Sequence, residues 1–262
     1  MKFKIQNQVG YFGSGSGNPS SNAKSIVFIH GAGFDHTVWV LPARYFARHG
    51  FRVVALDLPG HGRSDGPALN SIEAMSEWVY QSIQELGLSE AIVVGHSMGS
   101  LIAYSLAAKN PEIVSKLILL GTSSPMPVTD LLLNAAKDNH HAAIDMANTW
   151  SHSRKGTLGS AENPGISNLN SEERLLERSG EGVYFADFYA CNEFDASKSG
   201  SVNVPVLVLM GDKDKMTPAK AGIAVAGKLP NCRTHLLAEC GHSMLSEKPN
   251  EVLDALSEFI IE

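Results

Sequence analysis

The chain is poor in cysteine, in charge and in long apolar runs, and each shortage excludes something. Its three cysteines, Cys191, Cys232 and Cys240, are odd in number, unrelated in spacing and without a C-x-x-C pair, so neither a disulfide framework nor a structural zinc site is expected. Charged residues make up only 18% of the 262 residues, with a net charge of −6 and no block of like charges, which argues against a nucleic-acid partner. No stretch approaches the roughly 18 consecutive apolar residues of a transmembrane helix. The N-terminal residues Met1 to Gln6 carry two lysines but no apolar run and no small-residue cleavage site, so no signal peptide is expected. Together with the odd thiols, this predicts cytoplasmic residence.

Apolar residues, at 44%, are ample, and a chain of this length buries about 70% of its surface on folding without staples. They fall in short continuous runs: 25–30, 52–56, 91–95, 116–120 and 204–210. Such runs, bounded by Gly, Asp or Pro, are the signature of strands buried on both faces. Between them lie helical candidates at about 38–49, 71–86, 98–109, 218–228 and 249–260. The alternation predicts a mostly parallel, doubly wound α/β fold. Residues 3–12 fit an opening hairpin, and the Gly/Ser-rich stretch 13–22 a surface loop. Its spaced glycines lead into a strand and open no helix, so they are not a dinucleotide-binding loop.

Between about Ser123 and Asn203 the alternation stops. Helical patches at 128–140, 142–150, 171–178 and 183–191 surround a Gly/Ser/Asn-rich loop from 151 to 170, with no convincing buried strand. The expectation is a core domain formed by 1–122 and 203–262 and a helical cap, or lid, at 123–202.

Chemistry concentrates at Gly95-His96-Ser97-Met98-Gly99. This G-x-S-x-G follows an apolar strand run and opens a helix, the context of a nucleophile elbow, in which a strained turn pushes the serine up at the carboxyl edge of the sheet. A serine hydroxyl needs an imidazole to accept its proton, and the imidazole needs a carboxylate to hold its tautomer. Of the ten histidines, His242 lies in a Gly-flanked loop after a predicted strand at 233–237. His30 and His61 border glycine turns and are expected to shape loops, His96 is expected to point away from the catalytic face, and His36, His49 and His235 read as ordinary helix, loop or strand residues. His140, His141 and His152 read as solvated or cap-packing, because an adjacent pair diverges and no acid has ligand spacing. Asp212 and Asp214 both follow the strand run at 206–210, whereas Asp57 is expected to brace its loop.

Four motifs now stand in order: His30-Gly31-Ala32-Gly33, Asp57 through Asp65 (DLPGHGRSD), the elbow, and Gly211-Asp212-Lys213-Asp214 with Gly241-His242. In these the chain resembles the α/β-hydrolase fold family, its serine esterase and C–C hydrolase branch, over essentially its whole length. The resemblance implies the order nucleophile, acid, base, which falls on Ser97, Asp214 and His242, and favours Asp214 over Asp212. An oxyanion hole would use the backbone N–H of Met98, after the nucleophile, and of Ala32, in the turn after His30. Trp150, Tyr184 and Phe188 are cap candidates for contact with substrate, alongside Met126, Leu131, Leu132, Met146 and Phe185.

The expected activity is hydrolysis of small-molecule carboxylic esters through an acyl-enzyme on Ser97, with no cofactor and no metal. With the same triad, C–C bond hydrolysis of a vinylogous diketone and hydrolysis of lactones or thioesters are alternatives. From another class comes a small-ligand receptor that keeps its triad; turnover separates it from an enzyme. Dehalogenases and epoxide hydrolases attack through an aspartate, where this elbow has Ser97.

Overall fold

In the computed structural model, residues 1–5, 7–158 and 165–262 are described. One eight-stranded sheet organises them, in the order β1-β2-β4-β3-β5-β6-β7-β8. The strands are β1 (Lys2–Ile5), β2 (Gln8–Gly13), β3 (Ser25–Ile29), β4 (Arg52–Asp57), β5 (Ala91–His96), β6 (Val114–Leu120), β7 (Val206–Gly211) and β8 (Cys232–Leu237). β1 pairs antiparallel with β2, and β2 antiparallel with β4. From β4 to β8 every pairing is parallel.

Parallel strands need crossovers, and helices supply them on both faces. Against one face pack α1 (Val40–Arg48) and the C-terminal α11 (Pro249–Ile261), through Phe46, Leu256 and Phe259 on Ile26, Phe28 and Val94. Against the other pack α2 (Ile72–Glu85), α3 (Met98–Lys109) and α9 (Ala219–Ala226), through Val79, Leu106 and Val225 on Val27, Val93 and Val208. Both faces of the central strands are thereby dry: all five residues of β3 are buried. Each large apolar side chain so placed contributes roughly 1.5–3 kcal/mol. The continuous apolar runs follow from this two-sided burial.

Between β6 and β7 no described residue is in a strand. That segment carries α4 (Asp130–Lys137), α5 (Ala142–Ser151), α6 (Arg154–Thr157), α7 (Asn168–Leu176) and α8 (Val183–Glu193). Its own small core joins Leu132, Ala136, Ala143, Ala147 and Phe188. The expected loop at 151–170 is partly helical: α6 lies within it and α7 begins there, three residues before the expected start. The reason is capping, for the Ser153 hydroxyl accepts from Gly156 N–H and the Ser167 hydroxyl from Asn170 N–H, so serines that read as loop-forming are helix starts. Residues 159–164 of that stretch lie outside the described residues. The helix expected from Val38 starts at Val40, after a 3₁₀ turn at His36–Trp39 capped by Asp35.

Because β3 to β8 run the same way, the loops after β3, β4, β5, β7 and β8 gather at one sheet edge. These loops hold Ala32, Ser97, Asp214 and His242, and Met98 opens α3 beside them.

Candidate active site

Ser97 follows β5 directly and precedes α3. Its backbone sits at φ 54°, ψ −122°, a conformation that L-residues populate rarely and at a cost of about 1–3 kcal/mol. The glycines around it are sterically required. A Cβ on Gly95 would stand 2.0 Å from the Gly99 carbonyl oxygen, and one on Gly99 2.3 Å from that of Ile29. Only without those atoms can α3 approach β5 and β3 closely enough to fold the strand end sharply into the helix. The Ser97 N–H donates to Leu120 O at 2.9 Å, tying the turn to β6.

His242 stands in the loop between β8 and α10 (Met244–Glu247). Its Nδ1–H donates to Asp214 Oδ2 at 2.8 Å. Asp214 is otherwise fully engaged: Oδ1 accepts from the N–H groups of Met216 and Thr217, each at 2.8 Å, and Oδ2 from Thr217 Oγ1 at 2.8 Å. Burial alone would raise the Asp214 carboxyl, but the His242 charge and these hydrogen bonds outweigh it and hold the group below its ordinary value. For His242, burial pulls downward and the Asp214 charge and hydrogen bond pull harder upward, leaving the imidazole above its ordinary 6.5. The pair thus leaves Nε2 as the imidazole's free proton-accepting position.

Asp212, two residues nearer the strand, does not reach His242. It accepts from Cys240 N–H at 3.2 Å and pairs with Lys213 at 3.0 Å, bracing the β8 loop. Asp57 likewise braces its own turn, taking the His36 N–H at 2.7 Å, His36 Nδ1–H at 2.8 Å and the Arg63 N–H at 2.9 Å. His36 is therefore not an ordinary helix residue but a partner in that brace.

His96 departs from expectation. It does not turn away from the site: Nε2–H donates to the His242 carbonyl at 2.9 Å and the two rings lie 4.9 Å apart. Burial, and then the His242 charge, push His96 down to about 3, so it is a neutral prop under His242. Nothing in the one-dimensional pattern marks a residue inside the elbow as a support for a histidine 146 positions away.

A cavity of about 110 Å³ opens onto Ser97 and Thr217, with Ala32 in its wall. Apolar side chains from the helical segment close it: Met126, Val128, Leu132, Trp150 and Phe188. Lys215 is the single charged residue among the described residues lining it. Tyr184 does not line this cavity. Its ring lies instead over Gly33, where a Cβ would come within 2.7 Å of it, and faces a separate cavity with His140 and Ser179. Leu131 is exposed on the outer surface of α4. Met146 and Phe185 pack in the segment's own core.

The Ala32 N–H donates to no acceptor among the described residues, and Met98, as the first helical residue of α3, has no intrahelical acceptor for its own. Ala32 lines the same cavity as Ser97, and Met98 follows Ser97 directly.

Sequence reasoning missed Asp187. It lies on α8, fully buried, and its Oδ2 accepts from Gly33 N–H and from His61 Nε2–H, each at 2.8 Å. His61 Nδ1–H donates to Pro59 O at 3.0 Å. With both ring nitrogens donating, and with the Asp187 charge outweighing burial, His61 is held above its ordinary value. The signal was present as a lone acid within Val183-Tyr184-Phe185-Ala186-Asp187-Phe188, since a buried carboxyl demands a partner.

Two groups bring potential metal ligands together among the described residues: Asp35 with His36 and Asp57, and His141 with Glu173 and Glu177. The second brings Glu173 of α7 and Glu177, just after α7, to His141 from more than 30 positions away, a grouping that sequence spacing does not show. The carboxylates of the first are taken by the hydrogen bonds above, and those of the second are on the surface.

A sequence profile of the alpha/beta hydrolase fold matches residues 24–145. Among curated proteins, the 2-hydroxy-6-oxononadienedioate/2-hydroxy-6-oxononatrienedioate hydrolase of Cupriavidus pinatubonensis is 26% identical over 243 residues, 85% of this chain and 81% of that one. The chain has the α/β-hydrolase fold. That fold matches solved structures end to end. The enol-lactonase from Burkholderia xenovorans superposes with a TM-score of 0.88 at 21% identity, covering 100% of both chains. An esterase from Exiguobacterium antarcticum does so with 0.85 at 19% identity, over 98% of this chain and 97% of that one. In α/β-hydrolases the nucleophile, acid and base follow one another along the chain, the order in which Ser97, Asp214 and His242 occur here.

Proposed function

We propose that this α/β-hydrolase is a serine hydrolase of small-molecule carboxylic esters, with Ser97 as nucleophile, His242 as general base and acid, and Asp214 as its orienting carboxylate. The observation that carries this reading is the 2.8 Å Asp214–His242 hydrogen bond beside a serine held in a strained turn at the wall of an apolar cavity. His242 Nε2 takes the Ser97 proton as Oγ attacks the acyl carbon, and the oxyanion is stabilised by the N–H groups of Met98 and Ala32. Collapse of the intermediate expels the alcohol, which takes the proton from His242. Water, deprotonated by the same imidazole, then releases the acid and restores Ser97. No step calls on a metal or an organic cofactor.

A cavity of about 110 Å³ is smaller than the roughly 150 Å³ that accommodates benzene, which favours short acyl groups. We assign residues 123–202 as the cap over a core made of 1–122 and 203–262, with Trp150 and Phe188 in contact with substrate. Three unpaired cysteines support a reducing, cytoplasmic setting, and among the described residues no helix is long and apolar enough to cross a membrane.

Hydrolysis of a C–C bond in a vinylogous diketone is the second reading. It is favoured by the Cupriavidus relative, whose name describes a hydroxy-oxo dienedioate, and by Lys215 as the one cation lining the cavity. Steady-state turnover of short aryl esters and of a hydroxy-oxo dienedioate separates the two. Under either reading Ser97→Ala loses at least about 10³-fold in turnover; undiminished turnover in that variant would remove Ser97 from the mechanism.

A further inference from the structure

We propose that Asp187 is a positioning residue through which the cap helix α8 sets the loop carrying the Ala32 oxyanion donor. This rests on the reading of Ala32 N–H as a donor to the reacting oxygen. The loop after β3 has little of its own to hold it. It turns through Gly33 at φ +70°, and the bond from Phe34 N–H to Gly31 O is long, at 3.3 Å. What fixes it from outside is the Asp187 carboxyl, which takes the Gly33 N–H, the peptide directly after Ala32, at 2.8 Å.

Asp187 is itself aimed by His61, whose Nε2–H donates to the same oxygen at 2.8 Å. His61 is anchored to the β4 loop through Pro59 O and packs against His30, ring to ring at 4.8 Å. His30 closes the circuit: Nδ1–H donates to Gly31 O at 2.8 Å, and Nε2 accepts from Leu58 N–H at 3.1 Å. Three elements, the β3 loop, the β4 loop and α8, therefore meet at one carboxyl oxygen.

The other oxygen, Asp187 Oδ1, is buried with no hydrogen-bond partner among the described residues. A buried acceptor left unpaired costs free energy, and a purely structural tie between cap and core could be made more cheaply with an apolar contact. Phe188, the next residue of α8, and Cys191, one turn along, line the cavity that holds Ser97. The helix that walls the cavity thus also holds the oxyanion loop, so seating of α8 and placement of the Ala32 N–H go together. A donor displaced by about 1 Å costs on the order of 10²-fold in rate, whereas ground-state contacts in the apolar cavity are unaffected by it.

The test compares wild type, Asp187→Asn and Asp187→Ala at a temperature well below unfolding. Two measurements are made: amide hydrogen exchange at Gly33, and steady-state hydrolysis of a short aryl ester together with inhibition by a short alkyl boronic acid, which forms a tetrahedral anion on serine. Asn keeps an oxygen acceptor for both donors and should stay within about tenfold of wild type in kcat. Ala should speed Gly33 exchange, lower kcat about 10²-fold and weaken boronic acid inhibition in parallel, with KM changed less than about threefold. Unaltered Gly33 exchange in Asp187→Ala would refute the tie to the loop, and faster exchange with full kcat and full inhibition would reduce Asp187 to a structural residue. If instead Ser97→Ala hydrolyses the ester as well as wild type does, it is the proposed function that fails; the exchange result still judges the tie.

Discussion

Two buried aspartate–histidine pairs stand within the same molecule, and their differences separate chemistry from support. Asp214–His242 joins two loops of the sheet edge, and every polar atom of its carboxylate is engaged. Its imidazole has one nitrogen committed to Asp214, and the proposed function gives the other to the reacting group. Asp187–His61 joins α8 to the β4 loop, and there both imidazole nitrogens donate to acceptors, so no position is left to take up a proton. One carboxyl is saturated and its histidine open; the other carboxyl is half-satisfied and its histidine closed. Identity of the residue pair therefore does not define a catalytic dyad. Under the proposed function, what does is the imidazole nitrogen left unassigned.

The largest effect should come from breaking the open pair. Asp214→Asn holds the wrong tautomer of His242 and is expected to cost up to about 10⁴-fold in kcat. Asp212→Asn, which only loosens the brace on Cys240, should cost no more than about tenfold, or about 1.4 kcal/mol of barrier. Matched kinetics on the two folded variants, with thermal unfolding checked first, decide this; a severe loss in Asp212→Asn beside a mild one in Asp214→Asn would reverse the assignment.

An effect of intermediate size concerns substrate choice. Trp150 lines the Ser97 cavity and Tyr184 does not, so Trp150→Ala should shift preference between successive acyl chain lengths by about 1–3 kcal/mol, while Tyr184→Ala should leave the profile near that of wild type. Rates across a chain-length series measure it, and equal profiles for wild type and Trp150→Ala would make Trp150 a packing residue.

pH sharpens the comparison with the smallest effect. His242 accepts a proton only when neutral, and it is held above 6.5, so kcat/KM should fall as pH drops through a midpoint above that value. Asp214→Asn removes the main upward influence, so the midpoint of its residual activity should move down. Stability runs the other way: a raised histidine contributes fully below its unfolded value and loses that contribution as pH rises through the folded one. Activity and the pair's stabilisation should therefore cross in the same range, while His61, which is closed, adds to the stability limb alone. A pH–rate profile whose midpoint is the same in wild type and Asp214→Asn would contradict this.

The sheet was readable because parallel strands covered on both faces cannot tolerate polar residues, which makes β3, β5 and β7 continuous apolar runs. The elbow was readable because glycine is sterically required at 95 and 99. Strand ends facing the elbow pointed to His242 and to Asp212 or Asp214, the resemblance favoured Asp214, and 2.8 Å separates it from His242. The segment between β6 and β7 was harder. Its helices pack partly on one another, and its starts are set by single serine caps at 153 and 167 that composition disguises. Asp187 was missed and the contact of His96 with His242 was not foreseen for a common reason: each acts through a partner more than 100 positions away, and a single sequence carries no record of such pairings; His61, expected to shape its loop, does so through Pro59 and Asp187.

The reaction of Ser97 with a fluorophosphonate tests the link between the Asp214–His242 pair and the nucleophile most directly, because it requires no knowledge of the substrate. Intact-protein and peptide mass spectrometry should find one adduct, on Ser97, forming in wild type and in Asp212→Asn at rates within about tenfold of each other, and slowed by on the order of 10³-fold or more in Asp214→Asn. An adduct on another residue, or equal labelling rates in wild type and Asp214→Asn, would contradict it.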